Sequence, residues 1–411
     1  MSRTLHQSWR SGFICLLLLS AFLTGCHSPE TASSPVSDGA AIQMPPPSIN
    51  TNAVVQAPQV VQDAPTNQIP TQTFCCFKGL NIFSRFTLTN NSDGQVVLIS
   101  PVIKAAIPWN QLIVSWNVAA RPGAAIKVEA SVVFTNHASA FYTLALWSPD
   151  NQKMKRTSVS GQQDDDGRVD TDTLILPRPT DSVQLRLTLV GSKNGTAPDL
   201  KFLGLCFANT ELPPLPRIPN ERAWGKSVAV PESSQFGYPD ENGWCSPAAV
   251  SMVMAGWSIS EMRPDLLHNV PFVADKVYDD AHHGTGNWPF NTAFAGSYPG
   301  MRAYVTRFDD LAEVEDWIAA GIPVILSARW DWLSPGRPPD NEGHLVVCIG
   351  FTADGDVVVN DPAAHGNEPV QRIYKRANVI RAWTKSHNAV YLIYPETARI
   401  PPNNYGHWET R

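Results

Sequence analysis

From Phe74 to about Thr210, apolar and polar residues alternate in short runs split by Gly, Pro, Asn and Asp. Residues 96–99, 112–116, 126–130, 142–147 and 183–189 suit strands, whose side chains point alternately to two faces. No helical period runs through this block, so residues 73–212 predict an all-β accessory domain, an antiparallel sandwich or jelly roll. A stiff Pro-rich linker, Leu212-Pro213-Pro214-Leu215-Pro216 onward, occupies 213–227. Beyond it the texture changes. Helical spacing at 247–257 and 311–320 alternates with apolar runs at 323–327, 344–351, 357–360 and 389–394. Residues 228–398 therefore predict an α+β domain of roughly 180 residues, enough for its own core. Residues 399–411 are left as a C-terminal tail.

The other end of the chain carries a targeting pattern. Arg3 and Arg10 precede a nearly pure apolar run from Phe13 to Leu23. That run is shorter than the roughly 20 residues a membrane span needs, and it has the layout of a signal peptide. It ends in Leu23-Thr24-Gly25-Cys26, which looks like a bacterial lipobox. Small residues there admit the signal peptidase, and the Cys26 thiol takes a diacylglyceryl thioether. Residues 1–25 are thus expected to be removed, leaving a protein held to the membrane by lipid on Cys26. His27 stands where an Asp would signal inner-membrane retention, so the outer membrane is expected if the bacterium has one. Residues 26–72 contain eight Pro and no Lys or Arg. Such a segment buries too little apolar surface to offset its ordering entropy, and reads as a disordered tether.

Composition narrows the partners. The 411 residues carry 37 acidic against 31 basic side chains, a net charge of −6, and no basic run longer than a pair. Nucleic-acid binding, which depends on clustered phosphate contacts, is disfavoured. Seven cysteines cannot all sit in intramolecular disulfides. Cys75-Cys76 opens the β block and Cys206 closes it. In an oxidising envelope, a bridge from Cys206 to Cys75 or Cys76 would tie its first strand to its last. Trp109, Trp116 and Trp147 could stack on sugar rings, which makes a cell-wall glycan a candidate partner, although such rings more often pack a sheet.

The chemistry concentrates at Gly243-Trp244-Cys245-Ser246-Pro247-Ala248-Ala249. Pro247 suits a first helical turn, where its missing N–H costs nothing. Cys245 is therefore expected at a helix N-terminus, where the dipole and free N–H groups favour the thiolate, the nucleophilic form. Such a nucleophile needs a base, and the base an orienter. His344 opens the strand Gly343-His344-Leu345-Val346-Val347, and Asp361 follows the strand at 357–360. A hairpin turning at Asp354-Gly355-Asp356 would bring Asp361 back to the His344 ring. Asp279, Asp280, His282 and His283 lack a firm metal-ligand spacing, so no metal and no cofactor is expected. Cys348 shares a strand face with His344 and reads as a small buried hydrophobe.

These motifs resemble a known family. Cys-Ser-Pro-Ala opening a helix, Gly-His-Leu-Val-Val on a strand and Asn-Asp-Pro after the next match the papain-like, bacteriocin-leader-processing cysteine peptidases of clan CA, family 39. The likeness is to their stand-alone form and covers about residues 228–396. It implies a papain-like fold, with Cys245 as nucleophile, His344 as base and Asp361 as orienter. It also implies Gln235 as an oxyanion donor, although ten residues separate it from Cys245, more than in transporter-linked members. The polar, Gly-rich stretch from Ala281 to Asn291 is similar to one recurrent in the stand-alone branch, which puts Asn287 and Trp288 beside Trp244 in a substrate cleft.

The leading expectation is a lipid-anchored envelope cysteine peptidase acting on a peptide or protein substrate. An acyl or amide transferase could use the same three residues, because the acyl-enzyme step is common to both. A non-catalytic, glycan- or partner-binding lipoprotein is the third reading. The Gly-Gly specificity of transporter-linked members does not carry over.

Overall fold

The alternating block is antiparallel throughout. The computed structural model describes residues 73–410 apart from 92, 94, 152–153, 193–194, 239–242 and 334–342. The expected signal peptide, Cys26 and the expected tether all lie outside the described residues. The block forms β1 (Cys75–Leu80), β2 (Thr87–Asn90), β3 (Val96–Ile99), β4 (Ile103–Ala119), β5 (Ala125–Val133), β6 (Tyr142–Trp147), β7 (Arg168–Asp170), β8 (Thr173–Val190) and β9 (Asp199–Ala208). Hydrogen bonds join all nine in one sheet, ordered β1-β9-β4-β8-β3-β2, with β5 and β7 on β8 and β6 on β5. The long strand β8 changes partners along its length. Its first residues pair with β7 and β4, its last with β3 and β5. Exposed Pro177 and Pro179 sit between, where the ladder needs no N–H from them.

This sheet encloses one core that includes Trp109, Trp116, Trp147, Leu185 and Leu205. The three tryptophans are at most 2% exposed, which corrects the sugar-stacking expectation: their faces are covered by the sheet's own apolar residues. The expected disulfide is also corrected. Cys75, Cys76 and Cys206 are all free thiols. In the β1/β9 register Cys206 lies opposite Phe77, while Cys75 and Cys76 lie opposite Ala208 and Phe207. Cys76 faces the opposite side of the sheet from Cys206, and Cys75 is a diagonal neighbour at a spacing wider than a disulfide prefers.

The second block forms a seven-stranded sheet, ordered β11-β16-β12-β13-β14-β15, with β10 on β13. Its strands are β10 (Lys226–Ser227), β11 (Met301–Arg307), β12 (Val324–Arg329), β13 (Gly343–Phe351), β14 (Val357–Asn360), β15 (Gln371–Tyr374) and β16 (Ala389–Pro395). Among the described residues six α-helices accompany them: α1 (Cys245–Ser260), α2 (Val270–Val277), α3 (Trp288–Gly296), α4 (Leu311–Ala319), α5 (Trp330–Leu333) and α6 (Arg376–Trp383). One side of the sheet packs with α1, α2 and α3, through Val250, Val253, Val273 and Phe294 against Leu345, Val347 and Ile393. On the other side α4 and α6 contribute Trp317 and Trp383. Among the described residues no helix is long and apolar enough to cross a membrane.

All described residues fall in one compact unit. The period of two in β4 explains the seam between the blocks. Leu112, Val114, Trp116 and Val118 enter the first core, while Ser115 and Asn117 face the edge strand β11. Ser115 Oγ accepts from Val305 N at 2.9 Å. Asn117 donates to Ala303 O at 2.6 Å and accepts from Ala303 N at 3.2 Å. Two side chains thus occupy backbone groups that an exposed edge would leave open. The C-terminal segment closes the same seam. Gly406 O accepts from Phe77 N at 2.7 Å, and Trp408 is 1% exposed.

Candidate active site

Cys245 is the first residue of α1, with Trp244 as its N-cap. The N–H groups of Cys245 and Ser246 have no carbonyl one turn back, and Pro247 has no N–H to satisfy. Ser246 Oγ meets Tyr391 Oη at 3.0 Å, fixing this turn on β16. His344, the second residue of β13, is 4% exposed, and the Cys245 thiol is among the groups that shape its electrostatics. Its Nε2 lies 2.7 Å from Asp361 Oδ1, which leaves Nδ1 for the sulfur. Asp361 reaches the ring because β13 and β14 form a hairpin, closed by Thr352 N donating to Asp356 O at 2.9 Å. Gly355 in that turn has φ +80°, and a Cβ there would meet the Trp224 ring at 2.6 Å.

Electrostatics favour a charged pair. Burial alone would push the His344 pKa down, but the Asp361 charge and hydrogen bond, together with Cys245, drive it well above the usual histidine value. Burial would raise the Asp361 pKa, yet His344, the Tyr374 hydroxyl and the Ala363 N–H hold it well below the ordinary carboxylate value. The sequence reading did not find this outer set. On β15, Tyr374 Oη donates to Asp361 Oδ2 at 2.5 Å, and Arg372 Nη1 lies 3.6 Å from the same oxygen. Residues 372 and 374 share a strand face by period two, the one signal that could have grouped them. Trp330 covers the His344 ring, with centroids 5.5 Å apart.

Gln235 approaches from a separate loop. Its N–H donates to Pro362 O at 2.9 Å, and Ser234 Oγ donates to Ala364 O at 2.7 Å, so the loop is clipped to the segment after Asp361. The Gln235 side chain is buried, and its Oε1 has no hydrogen-bond partner among the described residues. A half-turn of the amide exchanges Oε1 for Nε2, so the position can offer a donor.

Of the three cleft candidates, Trp244 is half-buried and packs against Tyr238 at 5.8 Å between ring centroids. Trp288 is half-buried against the apolar cluster that contains Cys245. Asn287 is corrected. It is fully buried, its Oδ1 caps α3 by accepting from Phe290 N, and its Nδ2 donates to Asp279 Oδ2 at 2.8 Å. Its side chain has no face left for substrate.

The Asp279 carboxylate is spent in the same way, on Asn287 and on the N–H groups of Ser158, Ala281 and His282. Among the described residues Asp309, Glu313 and His407 bring ligand-type atoms within 4.8 Å of one another. Those atoms already bond internally: His407 Nδ1 to Glu313 at 2.6 Å, His407 Nε2 to Thr73 at 2.8 Å, and Asp309 to Arg217. They tie the C-terminal segment, β1's approach and α4 together, an arrangement a cation would have to dismantle.

Comparison with known proteins adds two matches. Residues 89–208 match the model of the peptidase C39 N-terminal domain, and residues 228–391 match that of the peptidase C39-like family. The comparison with curated proteins finds no match. Among solved structures, a protein described as a C39-like peptidase from Bacillus anthracis shares 15% identity at a TM-score of 0.31. The match covers 41% of this chain and 97% of that one. The VPA0106 protein from Vibrio parahaemolyticus shares 10% identity at a TM-score of 0.13, over 80% of this chain and 90% of that one. Scores this low establish no shared fold. The two family models fall one on each block, the C39 N-terminal model on the first and the C39-like peptidase model on the second.

Proposed function

We propose that this protein is a papain-like cysteine peptidase of the cell envelope, anchored by lipid on Cys26 and carrying a β-sandwich ahead of its peptidase domain. The observation that supports the reading is the buried His344–Asp361 pair, with Nε2–Oδ1 at 2.7 Å, beside a helix that opens on Cys245. The Cys245 sulfur attacks the carbonyl carbon of a peptide bond while His344 holds the thiol proton. The C=O π electrons move onto oxygen, and the oxyanion is met by the Cys245 N–H and the Gln235 amide. Each such donor contributes about 3–4 kcal/mol to the transition state. Collapse of the intermediate breaks the C–N bond, and His344 gives its proton to the leaving amine. Water then attacks the thioester with His344 as base, releasing the acid and the thiol. Asp361 keeps the imidazole oriented and stabilises its charged form.

The deciding experiment compares the secreted chain with its Cys245→Ala variant on a peptide library read by mass spectrometry. Hydrolysis falling by about 10⁴-fold or more supports the reading; hydrolysis that survives the change overturns it. For the anchor, the Leu23-Thr24-Gly25-Cys26 motif is the support. Cys26→Ser is expected to abolish palmitate labelling and move the protein from the membrane to the soluble fraction.

A further inference from the structure

The segment between β6 and β7 leaves the first block and fastens to the second. Arg156, 1% exposed, donates to Ser148 O at 2.8 Å within its own block and to Asp275 O at 2.5 Å across the seam. Asp280 N donates back to Arg156 O at 3.0 Å, and Ser158 N donates to the buried Asp279 carboxylate at 2.9 Å. The loop after α2 is therefore held jointly by both blocks.

Alongside this joint lies an open groove of about 610 Å³, with Asn151 on one wall and Trp244, Tyr278 and His283 among the rest. That volume is in the roughly 300–1,000 Å³ range that seats a small ligand. Pro271 and Ala274 add apolar lining and Asp275 and Thr285 polar lining, so aromatic and aliphatic surface from Trp244, Tyr278, Pro271 and Ala274 is rimmed by polar groups. The groove abuts the turn that leads into the proposed nucleophile. Trp244 immediately precedes Cys245, and Thr285, another lining residue, donates from Oγ1 to Gly243 O at 2.8 Å. Asn151 is fixed in place: its Oδ1 accepts from Arg156 N at 2.7 Å, and its N–H donates to Ser148 Oγ at 3.1 Å. Asn151 and His283 both hold left-handed backbone conformations, at φ 56° and 53°. Such conformations persist where the surroundings over-determine them.

We infer that the first block supplies one wall of a substrate subsite, which takes an aromatic or bulky aliphatic side chain of a peptide near the scissile bond. Asn151 and Tyr278 determine its specificity. The inference rests on the peptidase reading of Cys245. In it, the N-terminal block is a working part of the cleft, and the peptidase block alone has an incomplete binding surface.

The test uses the secreted chain, Asn151→Asp and Tyr278→Ala on a randomised octapeptide library. Each is also made in the Cys245→Ala background to read peptide retention without turnover. Asn151→Asp keeps both the acceptor and a residue tolerant of the left-handed conformation, and thermal melting verifies that both variants fold. Tyr278→Ala is expected to lower selection of Phe, Tyr, Trp and Leu at one position by about tenfold. Asn151→Asp is expected to raise selection of Lys and Arg at that position or its neighbour about two- to fivefold. Cleavage or retention whose profile neither variant shifts overturns the subsite, as does the absence of both from the parent chain. Retention that shifts without any cleavage sustains the subsite while the peptidase reading falls. Cleavage with an unmoved profile does the reverse.

Discussion

At His344, burial and charge pull in opposite directions, and charge wins because Asp361 is both close and well supplied with donors. The direction of each shift fixes a pH dependence. The His344 pKa is raised above its unfolded value near 6.5, so its contribution to stability is complete below that value and is lost as pH rises through the folded pKa. The Asp361 pKa is lowered from 3.8, so its contribution is complete above that value and is lost as pH falls through the folded one. Between these limits the pair stabilises the fold. Asp361→Asn is expected to flatten the profile of urea stability against pH and to bring the His344 titration down, as followed by its ring C–H signals in NMR. Tyr374→Phe removes one donor to Asp361 and leaves the ring packing. It is expected to lower kcat/KM about three- to tenfold, with KM little changed, in steady-state assays.

At the scale of elements, strand β11 and helix α3 are held by what β4 presents to them. A Cβ on Gly296, the last residue of α3, would lie 2.0 Å from Asn117 Nδ2. Gly296→Ala is therefore expected to destabilise the protein through Asn117, and to cost less in an Asn117→Ala background. Asn117→Ala alone leaves the Ala303 N–H and C=O short of a buried partner, at about 1–3 kcal/mol each. Urea unfolding of the four-protein cycle measures the coupling. These elements also mark where the sequence was legible. The strands at 112–116 and 344–351 and the helix at 247–257 could be read because their apolar runs are long or strictly periodic. Helix α3 was missed because eight of its nine residues are buried, so it has no polar face to set a period. Its start signals, Asn287 as cap and Pro289 in the first turn, are present but lie within a Gly-rich polar stretch that masks them. Strand β11 has an apolar run of only three residues, Ala303 to Val305, between the buried Arg302 and Arg307, too short to announce a core strand. Cys245, His344 and Asp361 could be grouped because one hairpin links two of them. Arg372 and Tyr374 depend on a further strand pairing that no local pattern announces.

For the whole molecule, the two blocks share surfaces that neither would present to water alone. Phe290 of α3 packs in the first block's core, and Phe202 of β9 packs in the second's. Residues 228–398 produced alone are expected to bind a hydrophobic dye and to sediment as aggregates, while residues 73–411 behave as a single species. Trp408→Ala, which empties a fully buried site between Phe308 and Trp317, is expected to cost about 3–5 kcal/mol in urea unfolding. The closure by the C-terminal segment also bears on when the protein can become native. The bond between Thr73 and His407 spans 334 residues, so the first strand's surroundings are completed only by residues made long after it. Contacts of such long separation fold slowly, because the loop-closure entropy must be met before they form. A nascent chain that has not yet freed Gly406 and His407 holds an unfinished seam, with the Phe77 N–H and the Thr73 hydroxyl still waiting for their partners.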